Sequence, residues 1–351
     1  DSVTWIIRRI FESLSHPFVL NDEQVYVTCS IGVSVFPDDG ANAETLLRHA
    51  GVAERHAREI EGTDSHVFFD ETMNENSRRQ LVIEAGIRQA LEKDEFTLHY
   101  QPIIDLHTGR PVSAEALLRY TGKNLKDIPV YEVISIAEQT GLISKIGEWV
   151  LQTATSQLQQ WTEDGIDLAK ISINVSATQL CNSQASQTLL RIASEMNLEA
   201  KKLQVEVTES AMMQDADAAS DTLKRLQELG VQIALDDFGT GQSSLNYLRK
   251  FRPDVLKIDR SFIDKVDTNR TDATLVSAII AMSHQMGLRV VAEGVETAAQ
   301  MESVRELGCD EAQGYLIAKP MPAKVMADWL RLFASRKDLP LTVEFHEDEV
   351  A

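Results

Sequence analysis

Seven β-rich runs in this chain are broken by a polar side chain where a buried strand should be apolar. The interruptions are Glu115, Asn174, Glu206, the pair Asp236 and Asp237, Lys257 with Asp259, Glu293, and Gln313. A strand covered on both faces reads as a nearly continuous apolar run. An ionisable group inside it is costly unless it is paired or bound to a metal. Six of these residues carry carboxylates, and five of those, Glu115, Glu206, Asp236, Asp237 and Glu293, are the ones expected near one mouth. Two carboxylates 4 Å apart repel by roughly 4 kcal/mol at an effective dielectric of 20. Gathered at one place, they call for cations. The donor set of Glu115, Asn174, Glu206, Asp236 and Asp237 is all oxygen, with no His or Cys. That chemistry selects Mg²⁺ or Mn²⁺ over zinc. The adjacent aspartates suit two cations that share one carboxylate. Two-cation sites recur in phosphoester hydrolysis, where they bind the attacking water and stabilise the leaving oxygen.

Side-chain parity constrains the set. Asp236 and Asp237 are neighbours, so in a regular strand they point to opposite faces. One of them is therefore expected to belong to the loop that Gly239 and Gly241 begin. Glu206 and Glu209 differ by three and cannot share a strand face, so Glu209 is expected to act after the strand ends. His99 has no second histidine to pair with and reads as a packed or surface residue, and His284 as core or interface.

The elements that position these residues follow from periodicity. Strands are predicted at 96–104, 112–120, 170–175, 203–207, 231–237, 255–259, 289–295 and 311–316. Helices are predicted at 130–161, 176–196, 215–229, 243–249, 272–286, 298–307 and 323–335. Only the first two strands are joined by a turn, at 105–110; the rest alternate with helices, as a parallel sheet requires. The fold class expected is α/β: a (β/α)8 TIM-like barrel with one antiparallel strand. The runner-up is an open doubly wound sheet. In a barrel the strand C-termini converge on one mouth, where active sites form, and the polar interruptions would meet there. Ahead of it, residues 1–75 read as a truncated α+β segment, with helices at 4–14 and 43–61 and strands at 25–36 and 66–69. A helix over 74–93 covers the linker at 76–94; the barrel occupies 95–335, and 336–351 is an acidic tail.

Composition narrows the function classes. The chain has 351 residues, a formal net charge of -20, 43% hydrophobic and 25% charged residues. Such a chain can bury a sizeable core. Its acidity argues against polymeric nucleic acid as a partner, because phosphate neutralisation needs clustered Lys and Arg. Three scattered cysteines make neither a zinc site nor a disulfide framework and fit a reducing cytoplasm. No apolar stretch reaches the roughly 20 residues of a membrane span, so no membrane contact is expected of this stretch. The chain starts at Asp1 and reads as a fragment; a missing N-terminal region could attach the full-length protein to a membrane.

Two resemblances stand out. Ser30-Ile31-Gly32-Val33, Phe36-Pro37 and Leu46-Leu47 before Ala50 resemble the C-terminal half of a GGDEF (diguanylate cyclase) domain. The GGDEF signature itself is missing, and Gly51 and Arg58 replace the usual Asp and Lys. This segment therefore looks like a degenerate remnant without cyclase activity. Residues from about 80 to 335 closely resemble an EAL domain, the cyclic-di-GMP phosphodiesterase family. The motifs include Gln101-Pro102-Ile103, Glu115-Ala116-Leu117-Leu118-Arg119, Ala137-Glu138-Gln139-Thr140-Gly141 and Ile173-Asn174-Val175-Ser176. They continue with Glu206-Val207-Thr208-Glu209, Asp236-Asp237-Phe238-Gly239, Lys257-Ile258-Asp259, Ala292-Glu293-Gly294-Val295-Glu296 and Gln313-Gly314-Tyr315.

The resemblance implies hydrolysis of cyclic-di-GMP to linear pGpG by a water that two divalent cations, Mg²⁺ or Mn²⁺, activate. It implies Glu115, Asn174, Glu206 and Asp236 as ligands of one cation, and Asp236 with Asp237 for the second, Glu293 nearby. Lys257 would orient or help activate the water. Glu209 would anchor the 237–244 loop, which couples dimerisation to metal binding, so a homodimer is expected. Gln101, Leu118, Arg119 and Gln313 would contact substrate. Tyr120 and Gln242 depart from the family's usual Trp and Tyr. The alternative is an inactive cyclic-di-GMP receptor or scaffold. Such relatives typically lose a metal carboxylate or the loop glutamate, and all are present here.

Overall fold

The computed structural model describes residues 2–20, 23–60, 65–166, 168–195, 200–239, 248 and 251–335. They fall into two compact units, the first ending at Ala85 and the second starting at Gly86.

The first unit contains α1 (Ser2–Leu14), β1 (Phe18–Leu20), β2 (Glu23–Val25), β3 (Ile31–Val33), α2 (Ala43–Ile60) and β4 (His66–Phe68). Helix α3 (Glu71–Glu92) begins here and continues into the second unit. β1 and β2 pair antiparallel, whereas β3 and β4 pair in parallel. Helix α2 packs on β3 at Gly32, where a Cβ would overlap the backbone of Ala50 and Glu54. The single strand expected over 25–36 is two short strands, because residues 26–30 pair with nothing in the described sheets.

The second unit is the barrel. Its strands are β5 (Phe96–Asp105), β6 (Pro111–Tyr120), β7 (Lys170–Asn174), β8 (Leu203–Thr208), β9 (Gln232–Phe238), β10 (Val255–Ile258), β11 (Arg289–Ala292) and β12 (Glu311–Ala312). From β6 to β12 each strand is parallel to the next. β5 is antiparallel to both β6 and β12, and its pairing with β12 closes the ring. The open-sheet alternative is thereby excluded. The closing seam is short, with only Glu311 opposite Asp105 and Ala312 opposite Ile104. Arg289 clamps it from below, 2.8 Å from Glu311 and 3.2 Å from Asp105. A two-residue strand β13 (Met321–Pro322) adds to β5.

The outer helices are α4 (Val130–Gln139), α5 (Ile143–Glu163), α6 (Ala177–Cys181), α7 (Ser183–Glu195), α8 (Glu209–Gln214), α9 (Ala216–Glu228), α10 (Arg260–Ile263), α11 (Arg270–Gln285), α12 (Ala298–Glu306) and α13 (Ala323–Ser335). The long helix expected over 130–161 is two, because Gly141 adopts a left-handed φ of 72° and ends α4. The helix expected over 176–196 breaks at Asn182. The predicted helix at 243–249 and the acidic tail lie outside the described residues. No described helix is long and apolar enough to cross a membrane.

Strand parity builds the barrel interior in layers. Ile103, Ala234, Val255 and Val291 pack together as an apolar floor against Val112. Two residues further along the same strands come Gln101, Asp236, Lys257 and Glu293. The last strand reaches this layer through a tight crossing. Val295 donates its backbone N–H to the Gln313 carbonyl, and Leu316 donates to the Val295 carbonyl. Between them, a Cβ on Gly314 would overlap the Val295 backbone. Gly314→Ala is therefore expected to lower unfolding free energy by about 1–3 kcal/mol, the range for overpacking. Chemical denaturation measures it; a wild-type midpoint would show that the crossing has slack.

Candidate metal centre

Lys257 stands at the middle of the polar layer. Its side chain is 1% exposed. Its Nζ is 2.6 Å from Glu206 Oε2, 2.6 Å from Glu293 Oε1, 3.3 Å from Asp236 Oδ1 and 3.6 Å from Glu115 Oε2. These carboxylates come from β8, the end of β11, β9 and β6, so their meeting point is inside the barrel.

Around the ammonium, amides fill the remaining valences. Asn174 donates Nδ2–H to Glu115 Oε1 at 2.7 Å, which leaves Asn174 Oδ1 as an acceptor. Gln313 donates to Glu115 Oε2 at 2.7 Å and to Gln101 Oε1 at 3.0 Å. Gln101 donates in turn to the Ala318 carbonyl. Both Glu115 oxygens are thus held. Glu206 Oε1, by contrast, is buried without a hydrogen-bond partner among the described residues. A buried oxygen without a partner is costly and points to a missing ligand.

The adjacent aspartates are brought to one side by an irregularity of β9. Leu256 pairs with Leu235, but Ile258 pairs with Phe238, so Asp236 and Asp237 together face the single residue Lys257. That is a β-bulge, which re-aims side chains by inserting one residue. Asp237 takes up the extra length at a left-handed φ of 54°, a region that Asp tolerates better than most residues. Its backbone N–H is tied to Asp236 Oδ1 at 3.0 Å. Parity separates the pair in a regular strand; the bulge removes that bar while keeping both inside the strand. Oxygens of Asp236, Asp237 and Glu293 consequently lie within 4.8 Å of one another.

The electrostatics reflect four or five carboxylates sharing one cation. Burial opposes ionisation of Glu115, but Lys257 and the hydrogen bonds from Gln313 and Asn174 outweigh it and hold the carboxyl below its ordinary range. Glu206 is pushed up to about 8 by burial and by the Glu115 charge, against the pull of Lys257. Burial raises Glu293 as well, and Asp237 rises through burial and the neighbouring Asp236. Burial disfavours the Lys257 charge, yet Asp236, Glu115, Glu206 and Glu293 raise its pKa well above the normal lysine range. The ammonium is therefore a fixed positive charge.

The donors fit hard divalent cations: every candidate ligand is an oxygen, three carboxylates converge, and one buried oxygen is unpartnered. Glu209 is apart from this cluster. It opens α8 behind the Thr208 cap, buried, with both carboxylate oxygens lacking partners among the described residues. The loop it was expected to anchor is undescribed from Thr240 onward, Gln242 included. Arg119 follows Glu115 on the same face of β6 and folds back to donate to the Leu118 carbonyl at 2.8 Å. The Leu118 side chain is on the opposite face of β6, beside Leu98. Asp259 caps α10 by accepting from the Ser261 N–H. Sequence reading passed over the Ser176–Gln179 capping box that follows Asn174, although its Ser-x-x-Gln spacing is visible in the chain.

Residues 84–320 match the EAL domain family, and residues 1–63 match the family described as diguanylate cyclase, GGDEF domain. The chain is 39% identical over 324 residues to the bifunctional diguanylate cyclase/cyclic di-GMP phosphodiesterase MucR of Pseudomonas aeruginosa, covering 92% of this chain and 47% of that protein. It is 35% identical over 328 residues to the cyclic di-GMP phosphodiesterase PdeR of Escherichia coli, covering 93% and 49%. The chain thus spans about half the length of these relatives. Among solved structures, the P. aeruginosa MucR phosphodiesterase in complex with c-di-GMP matches with a TM-score of 0.65 and 41% identity, over 70% of this chain and 99% of that one.

The bulge makes a prediction that separates backbone strain from ligation. Asp237→Gly relieves the left-handed conformation, so stability should hold or rise by up to about 1 kcal/mol. Mn²⁺ affinity should fall by roughly 10-fold or more. Calorimetric titration and denaturation of the one variant read both. Unchanged Mn²⁺ affinity would remove Asp237 from the ligand set.

Proposed function

This chain belongs to the EAL domain family, and from that premise we propose that it hydrolyses cyclic di-GMP to linear pGpG with a water activated between two divalent cations. The observation that carries the reading is the convergence of Glu115, Glu206, Asp236 and Glu293 on buried Lys257, with Asp237 folded in by the bulge. If all five carboxylates ionise, the cluster with its one ammonium has a formal charge of four negative, which two divalent cations balance. Glu115, Asn174, Glu206 and Asp236 would hold one cation; Asp236, Asp237 and Glu293 would hold the other. Two such cations supply Lewis-acid activation of water and neutralise charge on the phosphate.

The chain's own groups do the rest. Lys257, in contact with these carboxylates, would orient or help activate the water as a hydrogen-bonding group at the centre of the cluster. Its contacts to Glu206 and Glu293, each 2.6 Å, hold both carboxylates in place. Gln101 and Gln313 form a neutral hydrogen-bonded arm beside Glu115. Neutral donors there can meet substrate oxygens without adding charge to an overcharged site. Arg119, along β6 from Glu115, offers a cation to the anionic ligand. In the reaction, the water oxygen bonds to one phosphorus and one phosphorus–oxygen ester bond breaks. The departing alkoxide takes a proton, and the ring opens to a linear dinucleotide with a terminal phosphate.

Incubation with cyclic di-GMP, followed by chromatography, tests the reading. We expect pGpG with Mg²⁺ or Mn²⁺, none with excess EDTA, and a loss of at least about 100-fold in Glu115→Ala, the scale of losing a transition-state electrostatic contact. Tight nucleotide binding without product would assign the chain to the receptor class. The absence of both binding and product would contradict the proposal.

A further inference from the structure

Glu293 has the least strand support of the carboxylates around Lys257. It lies one residue past the end of β11, whereas Glu115, Glu206 and Asp236 sit within β6, β8 and β9. Its backbone N–H donates to the Ile258 carbonyl at 3.1 Å, just beyond the last paired residues of the two strands, Ile258 and Ala292. The next residue, Gly294, turns the chain at a left-handed φ of 69°. Yet the Glu293 carboxylate is held 2.6 Å from the Lys257 ammonium.

Two side chains tie the turn after Glu293 to the segment after Lys257. Gln300 is buried in the first turn of α12. Its Oε1 accepts from the Glu296 N–H at 2.8 Å and from the Thr297 N–H at 2.9 Å. The Gln300 N–H donates back to the Thr297 hydroxyl, which completes a capping box. Such a box uses only the amide oxygen of its third residue. The remaining Nε2 of Gln300 crosses to the Asp264 carbonyl at 3.1 Å, at the end of α10. Arg260 makes the second tie, from the solvent side. It opens α10, pairs with Asp264 at 3.1 Å and reaches Glu296 at 3.0 Å. Its aliphatic stem fills the space that a Cβ on Gly294 would need. Helix α10 follows directly on the strand that carries Lys257. Both ties therefore set the turn after Glu293 relative to Lys257, which capping α12 alone does not require.

We infer that Gln300 is a positioning residue for Glu293: its amide nitrogen, bonded to the Asp264 carbonyl, fixes the turn after Glu293 and keeps that carboxylate where it can share a cation with Asp236 and Asp237. Arg260 supports the same turn from outside. The inference rests on the cation reading of the centre given above.

Mn²⁺ titration of the whole chain by calorimetry tests it, beside thermal melts, with wild type, Gln300→Ala, Gln300→Glu and Arg260→Ala. Gln300→Glu separates the two jobs of the side chain. It still caps α12 through its oxygens, but its carboxylate cannot donate to Asp264. An added negative charge would attract a cation, so a loss of affinity could not come from charge. Gln300→Ala and Gln300→Glu should each weaken Mn²⁺ by roughly 10-fold, as loss of an outer hydrogen-bond partner does. Arg260→Ala should lose less, about 2- to 5-fold, because its ion pairs are half-exposed and screened. In a Glu293→Gln background Gln300→Glu should cost nothing further, since both act through one ligand. A role confined to capping would lower the melting temperature of Gln300→Ala and leave Gln300→Glu with wild-type Mn²⁺ affinity. Wild-type affinity in Gln300→Glu, or an added loss in the Glu293→Gln background, would overturn the inference. Should neither Gln300 variant fold, a loss in Arg260→Ala supports it and wild-type affinity there overturns it. A wild-type chain that binds no Mn²⁺ would instead sink the cation reading itself, and this inference with it.

Discussion

One buried ammonium shared among crowded carboxylates is the constraint on which this molecule is organised. Lys257 contacts four of them within 3.6 Å. A buried ion pair stabilises little by itself, but removing one partner strands the other. Here a single cation is set against several anions, so protein alone leaves the layer unbalanced. The raised pKa values of Glu206 and Glu293, beside a Glu115 held down, express that imbalance. The interior concentrates negative charge around one ammonium, a set of oxygens whose chemistry fits divalent cations.

The architecture supplies what such a layer needs. Parallel strands deliver one inward side chain each to the same height, and a closed ring keeps water from competing at the sides. The apolar floor of Ile103, Ala234, Val255 and Val291 closes the layer below. The antiparallel β5 brings Gln101 opposite Glu115 and seals the ring with a seam only two residue pairs long. The charged clamp of Arg289 on Asp105 and Glu311 stands at that seam, at the end away from the centre. Among the described residues of the layer, strand geometry departs from regular at the bulge in β9, which brings two carboxylates of one strand together.

Much of this was legible in the chain because apolar strands make polar interruptions conspicuous. Glu115, Asn174, Glu206, Asp236, Lys257, Glu293 and Gln313 all fall in the layer or at its rim. What was hidden depends on pairing. Nothing in Leu235-Asp236-Asp237-Phe238 announces that Lys257 opposes two residues, because register is a property of two strands together. The side of β6 on which Leu118 falls follows from parity with Glu115, which a motif read as a block passes over. Helix breaks were hidden for a different reason: apolar periodicity runs across Gly141 and Asn182, whereas the backbone does not. The close approach of Gly147 in α5 to Gln179 after Asn174 joins residues far apart in the chain and shows only in three dimensions.

We propose that the Lys257 ammonium and divalent cations together stabilise the carboxylate layer. Denaturant unfolding of wild type and Lys257→Met, each in EDTA and in Mn²⁺, tests it most directly. In EDTA the variant is expected to lose about 3–5 kcal/mol, as breaking a buried pair does. Mn²⁺ should stabilise both proteins and narrow the gap between them, since the cations would take over neutralisation. A variant as stable as wild type in EDTA, with Mn²⁺ changing neither protein, would contradict it.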